Sequence, residues 1–438
     1  MAEVLKGTKK SSLNAKKTIP VKKPAIKSTS PLLVAEDVAA ARTYIENFWV
    51  NLERYQPKDQ DSLIGLPNKY LVPAHDPKSS FNFDEMYYWD SYFMVQGMLS
   101  DSSKKSLVLG MLDNLFSLLQ RYNLIPNASR TYLTGRSQPP LLTSFIFDVY
   151  KAYGLDKRWL AKAIAHAQLE YQTVWMGQKQ PFWHQVHKGL SRYYDINSLH
   201  DLAETESGWD MTTRFDRRCM DFLPIDLNAY LYKYEADFAR AAHIMGQLDE
   251  QVAWEQKAEA RKKQIDTLMW NSKEELYFDY DYRKKKLGTV ASLASYVPLW
   301  AGMVDKDKAE ALVRSLKRFI APGGLLTTDE SRLKNARPQN MPTQWASPNG
   351  WAPLHFFVVQ GFEKYNYSKL AEQIARRWLL TNTNWYNQHF EFLEKYNMLH
   401  PHKPPTEGVY PSQTGFGWTN AIFERFCHDY IDKADHND

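Results

Sequence analysis

The sequence predicts an all-α fold of twelve helices in six pairs, with an inner ring of apolar helices inside an outer ring of amphipathic ones. Three observations lead there. Apolar residues recur at helical spacing over 34–54, 89–99, 103–121, 140–154, 156–176, 223–247, 249–270, 291–303, 306–319, 350–364, 366–382 and 414–430. Several of these segments come as a glycine- or proline-led apolar helix followed closely by a more charged one, as in Ala352 to Phe362 and then Ser368 to Leu380. The stretches between them, 65–88, 122–140, 177–215, 320–350 and 383–415, are too long for simple turns and rich in Pro, Gly, Asn, Trp and Tyr, which marks them as functional loops on a helical scaffold.

At 438 residues and 44% hydrophobic content, the chain buries one large core and needs no second catalytic domain. Its formal net charge is +5, but residues 1–31 hold Lys6, Lys9, Lys10, Lys16, Lys17, Lys22, Lys23 and Lys27 against Glu3 alone and so carry +7, which leaves the body near −2. The expected organisation is a disordered basic tail over 1–31 and one catalytic domain over 32–438. A body of that charge excludes a basic face for nucleic acid, leaving only weak contact of the tail with anionic surfaces. No apolar run follows the first lysines, so neither a secretory signal nor a membrane span is expected, and the protein is read as a cytoplasmic monomer. Cys219 and Cys427 are too few for a disulfide framework and lack metal-ligand spacing; both are expected as reduced, buried thiols, with no metal site. No GxGxxG, P-loop, HExxH or GxSxG pattern supports nucleotide, zinc-protease or serine-hydrolase chemistry. Aromatic residues reach 14%, including 14 Trp and 26 Tyr, which suits a site that stacks rings on sugar faces, although by count alone most such rings pack between helices.

Five loop motifs carry polar and acidic residues together: Glu85-Met-Tyr-Tyr-Trp-Asp-Ser-Tyr92, Ile125-Pro-Asn127 with Arg136-Ser-Gln-Pro-Pro140, Glu206-Ser-Gly-Trp-Asp-Met-Thr-Thr-Arg214, Gln344-Trp-Ala-Ser-Pro-Asn-Gly-Trp-Ala-Pro353, and Phe392-Leu-Glu-Lys-Tyr396 leading to Gly415-Phe-Gly-Trp-Thr-Asn420. Hydrolysis of a glycosidic bond needs such a set: one carboxylic acid for the leaving oxygen, one carboxylate for water, and groups that hold ring hydroxyls. From about Leu66 to Phe426 the chain resembles family 37 glycoside hydrolases, the α,α-trehalases. The Tyr-Tyr-Trp-Asp-Ser-Tyr stretch is similar to the first signature of that family, and Gln-Trp-x-x-Pro-Asn-Gly-Trp-Ala-Pro is similar to the second. Pro224-Ile-Asp-Leu-Asn228 and Gly323-Gly-Leu-Leu-Thr-Thr328 match as well. The resemblance implies an (α/α)6 toroid, inversion at the anomeric carbon, no cofactor and a small disaccharide or α-glucoside substrate. It places the catalytic acid on Asp210 and the base on Glu394, and it aligns Phe83, Trp89, Asp90, Asn127, Arg136, Gln138, Gly208, Trp345 and Asn349 with the glucose pocket.

Each of these residues also has a plain structural reading. A Trp-Asp pair at a helix start serves as a packed ring beside an N-cap, and an isolated Arg-Ser-Gln is a solvated turn. Glu206, Asp210 and Arg214 at four-residue spacing make an ordinary helix face, and Glu394 can pair with Lys395 at the surface. Against this, Asp210 follows a Gly-Trp step and precedes Thr-Thr, which puts it at a loop-to-helix junction where a carboxylate can enter a cleft. Taken together and in order, the motifs read as one site.

Departures from the family pattern concentrate where the leaving group would lie. Asn82 in Ser80-Phe-Asn-Phe83 stands where an arginine is expected, and the Arg-Pro-Glu segment is missing between Arg192-Tyr-Tyr-Asp195 and Glu206. Ala346 replaces an Asp, Asn397 replaces an Asp after the base, and Gly408-Val409-Tyr410 replaces Gly-Glu-Tyr. These changes remove charge-assisted bonds to a second ring, so the expected alternative to trehalose is another small α-glucoside of the glucosylglycerate or glucosylglycerol type. A non-catalytic sugar-binding relative would lose one carboxylate, and both are present. A nucleic-acid or membrane protein anchored by its tail is the remaining class, which the near-neutral body disfavours.

Overall fold

Helices of two kinds alternate along the chain, one buried on all sides and one buried along a single stripe. The computed structural model describes residues 33–76, 82–331, 343–408, 410 and 412–433, so the expected basic tail lies outside the described residues, as does Val409. Among the described residues there are thirteen α-helices: α1 (Ala35–Leu52), α2 (Tyr88–Gln96), α3 (Lys105–Tyr122), α4 (Leu142–Ala152), α5 (Lys157–Glu170), α6 (His200–Glu206), α7 (Ile225–Met245), α8 (Leu248–Met269), α9 (Val297–Ala301), α10 (Lys306–Ser315), α11 (Ala352–Lys364), α12 (Ser368–His389) and α13 (Gly417–Cys427). All nine residues of α2 and all five of α9 are buried. By contrast α8 buries Trp254, Ala258, Arg261, Ile265 and Met269, one residue every three or four, which is a single face of a 3.6-residue period.

The more apolar helices close into a ring. α13 packs on α2, α2 reaches α4 through Tyr92 and Phe145 (ring centroids 6.3 Å apart), and α4, α7, α9, α11 and α13 then follow one another. The other helices lie outside: α1 on α12 and α13, α3 on α2 and α4, α5 on α4 and α7, α8 on α7, α10 on the strand Leu276–Tyr277, and α12 on α11 and α13. This is the expected toroid of six inner and six outer helices. Aromatic rings fill its axis, with Phe357 of α11 5.4 Å from Phe93 of α2 and 5.6 Å from Tyr230 of α7. Among the described residues no helix is long and apolar enough to cross a membrane.

All twelve expected helices are present, with four differences at their ends and in the loops. The segment 291–303 is helical by α-geometry only over α9, preceded by a 3-10 turn at Leu293–Tyr296. The helix expected over 156–176 changes at Tyr171–Trp175 to the wider π form. α12 runs on to His389 because Trp378, Asn382 and Trp385 continue its buried face, although 383–389 reads as loop by composition. The thirteenth helix, α6, lies inside the 177–215 segment; two apolar residues in His200–Glu206 give no periodic signal.

The loops that enter the inner helices sit together at one end of the ring, and a buried ionic cluster fixes one of them. Arg214 Nη1 donates to Asp226 Oδ2 at 2.7 Å and Nη2 to Asp279 Oδ1 at 2.8 Å, and the Arg214 and Asp226 side chains are 0% exposed. Removing the guanidinium strands two carboxylates in a dry interior. Arg214→Met should therefore cost about 3–5 kcal/mol, read as a lower urea midpoint at unchanged slope. A loss under about 1 kcal/mol would show that the carboxylates find other compensation.

Candidate active site

The segment that carries Asp210 is set by what surrounds Glu206 and Gly208. Glu206, the last residue of α6, accepts hydrogen bonds from Ser137 N at 2.8 Å, Tyr194 N at 2.7 Å and His184 Nε2 at 3.0 Å, so it ties three loops together and is not one corner of a helix face. The helix stops there. Gly208 has φ +72, and a Cβ at this position would sit 2.5 Å from the Trp89 ring, so only glycine permits both the turn and the close approach. Trp209 then lies between Trp345, 5.6 Å away and nearly parallel, and the Arg214 guanidinium at 4.3 Å. Asp210 follows, on a helix-to-loop junction, with the next α-helix beginning only at Ile225; this corrects the expected loop-to-helix placement. Its carbonyl accepts from Gln344 Nε2 at 2.7 Å, and Trp345 N donates to Met211 O at 3.0 Å, which fastens the acidic loop to the second motif.

Across the cavity, Trp89 and Asp90 occupy the first turn of α2. Gln138 Oε1 accepts from Trp89 N at 2.9 Å and so performs the capping that Tyr87, the residue before the helix, does not. Arg136 Nη1 pairs with Asp195 Oδ2 at 2.8 Å, with 11% and 0% of the two side chains exposed, which rules out the solvated turn. Asn127 Nδ2 donates to Ser137 O at 3.0 Å and Thr205 O at 3.3 Å, holding its own loop to that of Arg136.

Glu394 lies one residue before a short strand, Lys395–Asn397, that pairs antiparallel with Asn349–Trp351, Trp351 opposite Lys395. Its backbone N–H donates to Gln413 O at 3.0 Å, and its carbonyl accepts from Trp418 Nε1 at 3.1 Å at the start of α13. Lys395 does pair with Glu394, at 2.7 Å, but with both side chains 0% exposed; the surface pairing is corrected to a buried one. Tyr410 donates its hydroxyl to the other oxygen, Oε1, at 2.6 Å.

These loops enclose a cavity of about 180 Å³ lined by Phe83, Trp89, Asp90, Asn127, Arg136, Gln138, Gly208, Asp210 and Trp345 from the sequence-derived set, and by Pro73, Tyr87, Leu133, Thr205, Tyr410, Phe416 and Trp418 besides. Wider surface grooves, up to about 490 Å³, open elsewhere, whereas this cavity brings Asp90 and Asp210 together beside Glu394. Burial pushes Asp210 up to about 7, helped by the charge of Glu394 and opposed by its own backbone N–H, Arg136 and Lys395. Burial also raises Asp90 well above the usual carboxylate range, with Asp210 and Glu394 adding to the effect. Asn349 does not line the cavity: its amide donates to Gln344 O and Thr406 O and accepts from Thr406 N, each at 2.9 Å, so it braces the walls. Lys395 and Tyr410 are the polar neighbours of the acids that sequence reasoning left without a role; the Glu-Lys-Tyr and Gly-Val-Tyr motifs that contain them were the available signal.

The Trehalase family model matches residues 2–206 and 177–430 of the chain. Among solved structures, the fold is similar to neutral trehalase from Saccharomyces cerevisiae, with a TM-score of 0.72 and 27% identity over 91% of this chain and 81% of that one. It is also similar to a mannosylglycerate hydrolase of glycoside hydrolase family 63 from Thermus thermophilus, solved with glucose, at a TM-score of 0.64 and 17% identity over 88% of this chain and 99% of that one. With its toroid, its enclosed acidic cavity and a family match across most of its length, the chain belongs to the trehalase family of glycoside hydrolases.

Proposed function

We propose that the protein hydrolyses α,α-trehalose to two glucose molecules by a single displacement with inversion, with Asp210 as general acid and Glu394 as general base. The observation that carries this is the unlike condition of two carboxyls at one cavity. Burial keeps Asp210 protonated up to about pH 7, while Glu394 has a lysine on one oxygen and a phenol hydroxyl on the other. In the reaction the Asp210 proton passes to the glycosidic oxygen as its bond to the anomeric carbon breaks. Water forms the new bond from the opposite face and gives a proton to Glu394. One glucose ring fills the cavity, with the Trp89 and Trp345 rings as walls and Asp90 and Arg136 available to its hydroxyls. In this scheme residues 32–438 form the catalytic domain of a cytoplasmic monomer, needing no cofactor.

A second substrate class is favoured by where the altered residues lie. Ala346 is fully buried, Asn82 Oδ1 accepts from Asp76 N at 2.9 Å, and Arg192 is spent on Trp183 O, Met220 O and Tyr282. None of these supplies charge to a second sugar ring, which favours a smaller leaving group such as glycerol or glycerate.

A panel of trehalose, glucosylglycerol and glucosylglycerate, followed by proton NMR, tests both. β-Glucose should be the first product from every substrate cleaved, and initial α-glucose would exclude the mechanism. A kcat/KM for trehalose well above the others selects the first substrate class, and the reverse order selects the second.

Asp210→Asn should fold and lose about 10²–10⁴-fold in kcat, since an amide cannot supply the proton. Its stability should change with a definite sign. Asp210 holds its proton more tightly in the folded chain than an unfolded aspartate, which titrates near about 3.9. The group's contribution is therefore present in full below about pH 4 and lost as pH rises through about 7. Asparagine avoids that loss, so the variant should unfold at a higher midpoint than the wild type at pH 8, a gap that closes towards pH 4. An equal gap at both ends would remove Asp210 as the buried titrating acid.

The same titration sets one side of the rate profile. kcat/KM should fall on the alkaline side with a midpoint near 7, because the acid is then lost. A profile flat to pH 9 would assign the acid elsewhere.

A further inference from the structure

Glu394 and Lys395 are consecutive residues whose side chains form an ion pair with no exposure to solvent. An extended chain points successive side chains to opposite faces, so such a pair is not the default product of a strand. Lys395 opens the strand Lys395–Asn397, lies opposite Trp351, and carries its Nζ to 5.1 Å from the Trp351 ring and 2.7 Å from Glu394 Oε2. Tyr410 occupies Oε1, and Nζ lies 5.9 Å from its ring. Both oxygens and both backbone polar groups of Glu394 are thus held by named partners.

Stability does not account for this arrangement. A buried ion pair returns little over an apolar pair of the same shape, and ordering a lysine side chain costs rotamer entropy. The surroundings of Glu394 do account for it. Asp90 faces it from α2, Asp210 from the loop after α6, and the Tyr410 hydroxyl from the segment before α13. Arg136 stands towards Asp210 and is already paired with Asp195. Among the described residues Lys395 is the cation bonded to Glu394, placed where the charge of Glu394 also acts on two other carboxyls.

We propose that Lys395 is a positioning residue for hydrolysis: it holds Glu394 ionised and oriented towards the attacking water, while Tyr410 fixes the second oxygen. The inference rests on Glu394 as general base. An opposite charge at hydrogen-bond distance favours the ionised form of a carboxyl, so loss of the lysine should appear on the acid side of the rate profile.

The test compares full-length wild type, Lys395→Met, Lys395→Arg and Tyr410→Phe, using α-glucosyl fluoride, whose fluoride departs with little acid assistance. Fluoride release is followed from about pH 4 to 8. In Lys395→Met the acid limb of kcat/KM should move to higher pH, with kcat lowered at least about tenfold near pH 5 and KM little changed. Lys395→Arg should bring the limb back towards the wild-type position. Tyr410→Phe should move it in the same direction by less. A folded Lys395→Met with an unmoved limb overturns the proposal, as does an arginine variant no better than the methionine one. If the methionine variant does not fold, Tyr410→Phe and Lys395→Arg decide, and a limb unmoved by Tyr410→Phe counts against the proposal. Glu394→Ala with azide separates this from failure of the parent reading. Azide should attack the anomeric carbon as fluoride leaves, giving β-glucosyl azide. Absence of that rescue removes Glu394 as base, whereas rescue with an unmoved limb in Lys395→Met removes only the role of the lysine.

Discussion

Asp90 and Asp210 line one cavity with Glu394 close behind its wall, and the charges of the neighbouring carboxylates make ionisation of Asp90 and Asp210 harder. In bulk water three such groups would repel by about 1 kcal/mol per pair at contact distance, but in a poorly solvated site the cost rises several-fold. A site of this kind can hold one lasting negative charge cheaply only where a cation meets it. Glu394 has Lys395, Asp210 has Arg136 and Lys395 only at a distance, and Asp90 has its own backbone N–H and Gln138. This unequal treatment of chemically similar groups is what the proposed division into a proton donor and a proton acceptor rests on.

Holding these groups to their separation falls to the segment Gln344–Trp351. At one end Trp345 N bonds to Met211 O and the Trp345 ring lies against Trp209, which positions the acid loop. At the other end Asn349–Trp351 pairs with Lys395–Asn397, which positions Glu394. Trp345 and Trp351 stack face to face at 3.8 Å with planes 2° apart, so the two ends share one rigid body of rings. Trp89 closes the group from α2, 5.6 Å from Trp345, and leaves room for no side chain at Gly208. The toroid contributes by bringing the N-terminal ends of α2, α11 and α13 to the same face, so that loops far apart in sequence arrive together.

The helical ring was legible in the sequence because a buried helix stripe repeats every 3.6 residues whatever its neighbours are. α6 was not, since seven residues with Leu202 and Ala203 as their apolar content carry no period. The cavity was legible mainly through the family resemblance of its motifs, and nine of the eleven residues so chosen line it. Glu394 and Asn349 are the two that do not. Glu394 touches the cavity through Tyr410 and the charge it exerts on Asp210, and Asn349 bonds to neighbouring loops, since a motif records which residues occur without recording whether they face a ligand or another loop. The burial of Lys395 was equally hidden. A Glu-Lys step in a polar segment has the composition of a solvated pair, and only the strand pairing with Asn349–Trp351 removes it from water.

Residue type alone also could not separate Glu204, Glu206 and Asp210, three acids within seven positions. Their hydrogen-bond partners can. Glu206 accepts from two backbone amides and an imidazole, so a proton on it would break bonds that hold the loops of Arg136 and Tyr194. Glu204 accepts from Thr212 N at 2.6 Å and is pushed by burial to about 8, yet it lies behind the loop and does not line the cavity. Asp210 lines the cavity, and among the described residues its carboxyl is bonded to its own backbone N–H, which leaves lone pairs and a proton available to a ligand. A group already satisfied by the fold pays in structure for any proton it gives away, whereas one left unsatisfied can exchange a proton without moving the loops around it. Of the three, Asp210 alone combines access to the cavity, a proton retained near neutrality and freedom from structural duty.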